Sequence, residues 1–184
     1  MDSRHPSTKL TYADLDLLPD DDLRHEIIGG DHYVTASPAT RHQRISGRLF
    51  VAIQKYLDTN PIGEVFHAPV DVVMSSHDVV VPDLVFVSHA HAHLVTPKNL
   101  QGAPSLAIEI LSPSTRPRDE SLKRDLYERV GVEEYWLVDP DRNTLTVFRR
   151  QGTRFLVPQT FAASATVSTP LLPGFEMALD GVFA

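Results

Sequence analysis

The chain contains no cysteine in its 184 residues. Disulfides, thiolate nucleophiles and cysteine-based zinc sites are thereby excluded, and a reducing cytoplasm is the simplest home. No apolar run approaches the roughly 20 residues that cross a bilayer. The opening residues MDSRHPSTKL lack the apolar stretch of a secretory signal. There is no repeat, linker or low-complexity segment either, so one domain over 1–184 is expected, and two would be cramped. Positive charge is also scarce: 17 Lys and Arg face 24 Asp and Glu, a net charge of −7. Proteins that grip nucleic acid nonspecifically usually carry a basic surface, so any such patch must here be local. Arg41, Arg44 and Arg48 form one candidate group; Arg116, Arg118, Lys123 and Arg124 form another.

What is present reads as alternating short elements. TYADLDLLPDDDLRHEII suggests a short helix, an acidic turn and a strand, with Thr11 and Asp14 as an N-cap pair. Gly29-Gly30 marks a hairpin turn. A helix is expected over about 40–57, where Ile45, Leu49, Ile53 and Leu57 recur every four residues. EVFHAPVDVVM follows as strand, and VVVPDLVFVS as a nearly apolar central strand with a bulge or edge at Pro82. SHAHAHLVTPKNLQGAPS reads as a long connection with room for a short helix of its own, and SLAIEILS as a buried strand. A second helix is expected over 119–130, with Leu122, Leu126 and Val130 on one face and Gly131 at its end. EYWLVDP, TLTVFRR and RFLVPQTF complete the strands, and the apolar tail LLPGFEMALDGVFA packs back on the body. The fold class is α/β in the mixed, α+β sense.

The informative anomaly is acid where the pattern calls for apolar side chains. Glu109 sits in Leu-Ala-Ile-Glu-Ile-Leu, and Asp83 in Val-Val-Pro-Asp-Leu-Val-Phe-Val. A carboxylate is rarely buried unless it is paired, hydrogen-bonded or bound to metal. One such residue is as readily a structural ion pair; two on neighbouring strands can together hold a hard divalent cation such as Mg²⁺ or Mn²⁺. Glu26 and Asp71 are further acids in strand-like contexts. A cation near the scissile phosphate would assist phosphodiester hydrolysis. Lys123 is the leading candidate, on one helical face with Asp119 and Tyr127, although spacing alone favours a solvated lysine paired with Asp119.

Read in order, these segments resemble a known family. TYADL, HEIIGGDHY, a helix opening with His42-Gln43, Val81-Pro82-Asp83, and Ile108-Glu109-Ile110-Leu111-Ser112-Pro113-Ser114-Thr115 come first. Asp119, Lys123, Tyr127 and GVEEYWLVDP at 131–140 follow. The set is similar to the Uma-type family of bacterial restriction endonucleases, within the PD-(D/E)XK nuclease superfamily, from about Leu10 to the Leu-Pro-Gly-Phe near the end. The resemblance implies a restriction-endonuclease-like central mixed sheet flanked by helices, and a metal-dependent endonuclease acting on DNA. Asp83 would be the motif's aspartate, Glu109 its second acid and Glu26 an added early glutamate, with metal held at Asp83, Glu109 and Ile110. It also implies a homodimer that cuts two strands. Where the superfamily's lysine is expected this chain has Leu111, and Lys123 would supply the amine instead. Gly29 stands where an acid is expected before Gly30, which concerns the turn. Gln43 could reach the site from its helix or cap it.

Other constellations compete. His89, His91 and His93 would face one side of an extended segment, as zinc or nickel ligands do, but a His-rich surface connection explains them more simply. Ser112 has no base at a spacing that singles it out as a nucleophile. Trp136 and Tyr135 read as core, and Asp139-Pro140 as a strand-ending turn. Two other functions stay open: a catalytically inactive nuclease-fold binding module, and a metal-free glycosidase using paired carboxylates.

Overall fold

The computed structural model of the chain describes residues 9–15, 17, 18, 21 and 23–184. Thr11 caps the short helix α1 (Tyr12–Leu15): its amide and hydroxyl both donate to Asp14 Oδ2 at 2.7 Å. These bonds hold the Asp14 carboxyl below its usual range. The acidic turn expected next lies largely outside the described residues. The hairpin forms as expected, β1 (Arg24–Ile28) pairing antiparallel with β2 (Asp31–Thr35). Gly29 and Gly30 turn it at φ +60° and +85°, left-handed values that only glycine adopts without strain.

The helix α2 (Thr40–Thr59) runs two residues beyond its expected end and buries Ile45, Leu49, Ile53 and Leu57. The principal sheet orders β11-β10-β9-β8-β6-β3, with β12 also pairing β10. Its strands are β3 (Gly63–His67), β6 (Leu84–Ser88), β8 (Leu106–Ile110), β9 (Glu134–Asp139), β10 (Thr144–Gln151), β11 (Arg154–Phe155) and β12 (Gln159–Ala162). Only β8–β9 is parallel, so the sheet is mixed. A smaller sheet orders β2-β1-β5-β4-β7, adding β4 (Val72–Ser75), β5 (Asp78–Val80) and β7 (Leu100–Gln101).

Period-two alternation gives the principal sheet two buried faces. Leu84, Phe86, Ile108, Ile110, Trp136 and Val138 meet α2, as does the tail, where Phe175, Met177 and Val182 join the same cluster. The tail forms β13 (Thr166–Ser168), β14 (Glu176–Ala178) and α4 (Leu179–Phe183). Val85, Ala107, Leu111, Tyr135 and Leu137 face the other way, against Leu126 and Tyr127 and the smaller sheet's Ile28, Val72 and Val80. Among the described residues no helix is long and apolar enough to cross a membrane.

Three expectations need correction. VVVPDLVFVS is not one strand: β5 and β6 belong to different sheets, and the chain crosses between them at 81–83, where Pro82 offers no ladder donor. His89, His91 and His93 do not lie in an extended segment: the connection forms the short helix it had room for, a 3₁₀ turn (His89–Leu94) that breaks the alternation aligning three imidazoles. The expected helix over 119–130 opens as a π-helix (Arg118–Lys123) before continuing as α3 (Arg124–Val130). The wider turn changes the phase, so Leu122 is exposed, while Asp119, Lys123, Leu126 and Tyr127 are buried.

Candidate functional site

Asp83 immediately precedes β6, and Glu109 is the fourth residue of β8. These strands pair antiparallel with Leu84 opposite Ile108, so one further step of the register sets Asp83 opposite Glu109. Directly opposed residues send their side chains to the same face. Glu109 therefore points toward the π-helix and α3, while the Asp83 carboxyl beside it is reached by His42 from the first turn of α2. Both acids open into one cleft of about 220 Å³, which Ile110, Lys123, Asp119 and Arg118 also line.

Each acid is clamped by donors that its neighbouring elements supply. Asp83 Oδ1 accepts from Arg24 Nη1 at 2.9 Å; its Oδ2 accepts from the Ile110 amide at 2.8 Å and lies 3.1 Å from His42 Nε2. Burial alone would raise the Asp83 carboxyl, but His42, Arg24 and the Ile110 amide outweigh it and hold it below its usual range. The amide and carbonyl of one strand residue point to the same edge, so the Ile110 carbonyl also faces the Asp83 side. Glu109 Oε1 takes Lys123 Nζ at 2.8 Å and the Tyr127 hydroxyl at 2.6 Å, leaving Oε2 without a donor among the described residues.

Lys123 is 1% exposed, which rules out a solvated surface lysine. Its Nζ lies 2.7 Å from Glu26 Oε1 and 3.7 Å from Asp119 Oδ1. Burial works against the ammonium, yet Glu109, Glu26 and Asp119 together hold its pKa above the usual lysine value. Glu26 is fully buried; the Val81 amide donates to its Oε1 at 2.9 Å. Arg118 Nη2 stands 3.1 Å from Glu26 Oε2 without hydrogen-bond alignment. Asp119 Oδ1 is buried without any hydrogen-bond donor.

The charge count of the cluster follows. Glu26, Asp83, Glu109 and Asp119 face the fixed cations Arg24, Arg118 and Lys123. Four carboxylates against three permanent cations leave the cluster one permanent positive charge short, a gap that a protonated His42, a proton on a carboxyl or an added cation can fill. Glu109 is the acid that yields: burial first, then the charges of Asp119, Asp83 and Glu26, raise its pKa to about 8 despite Lys123. Burial likewise raises Asp119.

The chain matches the Uma2 family, described as "Putative restriction endonuclease", over residues 12–180. It belongs to that family. A crystal structure described as that of a putative nuclease belonging to DUF820 from Anabaena variabilis superposes with a TM-score of 0.79. At 22% identity, covering 95% of this chain and 97% of that one, it establishes the restriction-endonuclease-like fold. No protein of curated function matches the sequence.

Within this Uma2 chain, then, the fold gathers Asp83, Glu109, Ile110, Lys123 and Glu26, while the other candidates lie elsewhere. Leu111 is buried in the apolar cluster that holds Tyr127, so the Lys123 ammonium, not residue 111, meets Glu109. Asp71 lines a neighbouring cavity of about 500 Å³ with Gln43, not the cleft of Glu109. His91 sits beside Ser105 and Glu133, and no group of three metal-ligating side chains is assembled there or elsewhere among the described residues. Ser112 bonds Ser114 and Thr115 and shapes the turn after β8. Sequence reasoning passes over Arg24, and it names His42 and Arg118 only within a motif and a basic group, without placing either at the acids. Two had a signal: Arg24 alternates with Glu26 on one strand face, and His42 precedes Ile45 and Leu49 on the buried face of α2.

Proposed function

We propose that the chain is an endonuclease that hydrolyses DNA phosphodiester bonds with a divalent cation, Mg²⁺ or Mn²⁺. The observation that carries this reading is the pairing of Asp83 with Glu109 in one cleft whose charge cluster lacks one permanent positive charge. The residues fit such an ion. Two carboxylates and a carbonyl are hard oxygen donors, and Mg²⁺ characteristically takes one or two carboxylates and keeps several waters. Glu109 Oε2 is without a donor, and the Ile110 carbonyl faces the same side.

Asp83, Glu109 and the Ile110 carbonyl would hold the ion. Bound there, it supplies a water of lowered pKa and polarises a phosphoryl oxygen. The chain's own residues do the rest. Arg24 and His42 fix the Asp83 carboxylate from two sides. Tyr127 sets the rotation of Glu109. Lys123, kept protonated by three acids, presents a permanent positive charge at the wall of the cleft to phosphate and attacking water. Glu26 holds that ammonium and Arg118 in place.

Plasmid cleavage with Mg²⁺ by the wild type, Asp83→Ala and Glu109→Ala tests the assignment, with thermal melts verifying that each variant folds. A loss of about 10²-fold or more in both folded variants is expected; equal rates in all three would remove the site. A twofold dimer, measurable by sedimentation, would let one assembly cut both strands. The mutual satisfaction of Asp83 by Arg24 and His42, and of Glu109 by Lys123, favours a second reading: an inactive nuclease-fold binding module. Calorimetry with Mn²⁺ separates the two, since the module binds no metal in the absence of DNA.

A further inference from the structure

A second cavity lies apart from the cleft of Asp83 and Glu109. It is a groove of about 870 Å³ along the outer side of α2, closed on its far side by the β14–α4 tail. Its floor is apolar, from Val51, Tyr56, Phe175 and Met177, while Arg44, Arg48 and Lys55 line its helical wall. The helix carries four cations, Arg41, Arg44, Arg48 and Lys55, against one acid, Asp58, in a chain whose net charge is −7.

These charges are poorly neutralised. Arg44 and Lys55 have no ion-pair partner among the described residues, and Arg41 bonds only the neutral Asn143 side chain, at 2.7 Å. Arg48 reaches the carbonyls of Val182 and Ala184 and ties the tail to the helix. The other basic group contrasts with this. Arg116 is held by Asp139, Arg118 by Glu26, Lys123 by Glu109 and Arg124 by Asp125. Of these two groups, the α2 stripe is the one that offers its cations to an outside ligand, across a groove whose tail side carries the single acid Glu176.

A second observation concerns Gly47, which sits inside α2 between Arg44 and Arg48 and lines the groove. A Cβ there would meet nothing within 4 Å. Glycine within a helix is less favourable than alanine, and no neighbour among the described residues requires its small size. Leaving out the side chain keeps the groove wall open to close approach. The groove adjoins, at Gln43, the 500 Å³ cavity, and that cavity shares Asp83 and His42 with the cleft of Glu109.

We infer that this groove is where the phosphate backbone of DNA lies as it leads toward the catalytic cleft. This rests on the nuclease reading above and specifies how its substrate is held. Arg44 and Lys55 stand eleven residues apart, about 16 Å along the helix axis. A DNA strand rises about 3.4 Å per charge, so the stripe follows several successive phosphates. Its contacts touch no base edge and set position without sequence preference.

The test measures binding separately from cleavage. Fluorescence anisotropy with duplex and with single-stranded DNA oligonucleotides, in EDTA at several salt concentrations, compares the wild type with Arg44→Ala/Lys55→Ala and with Gly47→Gln. The double variant should bind duplex about tenfold or more weakly, with its log–log salt slope reduced by about two contacts at roughly 0.9 each. Gly47→Gln should weaken binding by obstruction while leaving the thermal melt unchanged or higher. Single-stranded DNA binding more tightly than duplex, with the same dependence on Arg44 and Lys55, would still support the groove as a backbone track. Wild-type affinity and salt slope in both variants would overturn the inference, and plasmid cleavage would then still judge the nuclease reading by itself. A dimer that Val51→Glu dissociates without change in DNA affinity would equally overturn it, making the groove a contact between copies.

Discussion

Glu109 carries the strongest electrostatic tension in the molecule, and its consequence is a pH dependence of stability. Its pKa is about 8 in the folded chain against an ordinary value of 4.5, because burial and three neighbouring acids disfavour the carboxylate. Between those values the folded chain holds a proton that the unfolded chain has released. Stability from this group is therefore fully present at low pH and declines as pH rises through the window, by at most about 1.4 kcal/mol per pH unit. Asp83 acts in the opposite sense, its depressed carboxyl contributing stability that is lost as pH falls through the acid range. Denaturant unfolding of the metal-free wild type should thus show a decline from about pH 5 to 8 that Glu109→Gln flattens; parallel curves would contradict the assigned burial. Lys123 is the counterpart. Lys123→Met leaves Glu26 and Glu109 buried with one less cation and should destabilise by about 3–5 kcal/mol. A loss under about 1 kcal/mol by the same measurement would mean that the ammonium is hydrated. A divalent cation must displace the Glu109 proton, so metal-dependent cleavage should rise with pH up to about 8 and level off above it.

Among the elements, α2 and the π-helix decide where chemistry can occur, and they differ in how readable they are. The four-residue recurrence of Ile45, Leu49, Ile53 and Leu57 reveals α2 directly, because its partner face in the sheet is wholly apolar. Gly47→Ala in this helix should raise stability by up to about 1 kcal/mol, since the space is open; a lower melting temperature would show a packing constraint at that position. The π-helix has no comparable signature. Its single wider turn leaves composition untouched but moves Leu122 outward and Lys123 inward, so spacing alone suggests a solvated lysine. The crossing of the chain between sheets at Pro82 is similarly hidden, because the residues that flank it, Val79 to Val81 and Leu84 to Val87, are all apolar. The acids were legible for the opposite reason. A carboxylate within Leu-Ala-Ile-Glu-Ile-Leu breaks its pattern, whereas the side chains that clamp Asp83 arrive from β1 and α2, and those that clamp Glu109 from the π-helix and α3.

For the whole molecule, the mixed sheet acts as a partition. One face, covered by α2 and the tail, is a conventional apolar core; the other carries four acids and three cations in an otherwise apolar setting. Such buried charge is a poor source of stability compared with hydrophobic packing. Its presence fits a cleft organised around a missing permanent positive charge. Crystals soaked in Mn²⁺ and measured for anomalous scattering test this most directly. The account predicts one peak bounded by the Asp83 and Glu109 carboxylates and the Ile110 carbonyl, with the Lys123 ammonium still held by Glu26. A saturating soak that leaves this position without a peak, with Lys123 seated on Glu109 and Arg24 on Asp83, would contradict it.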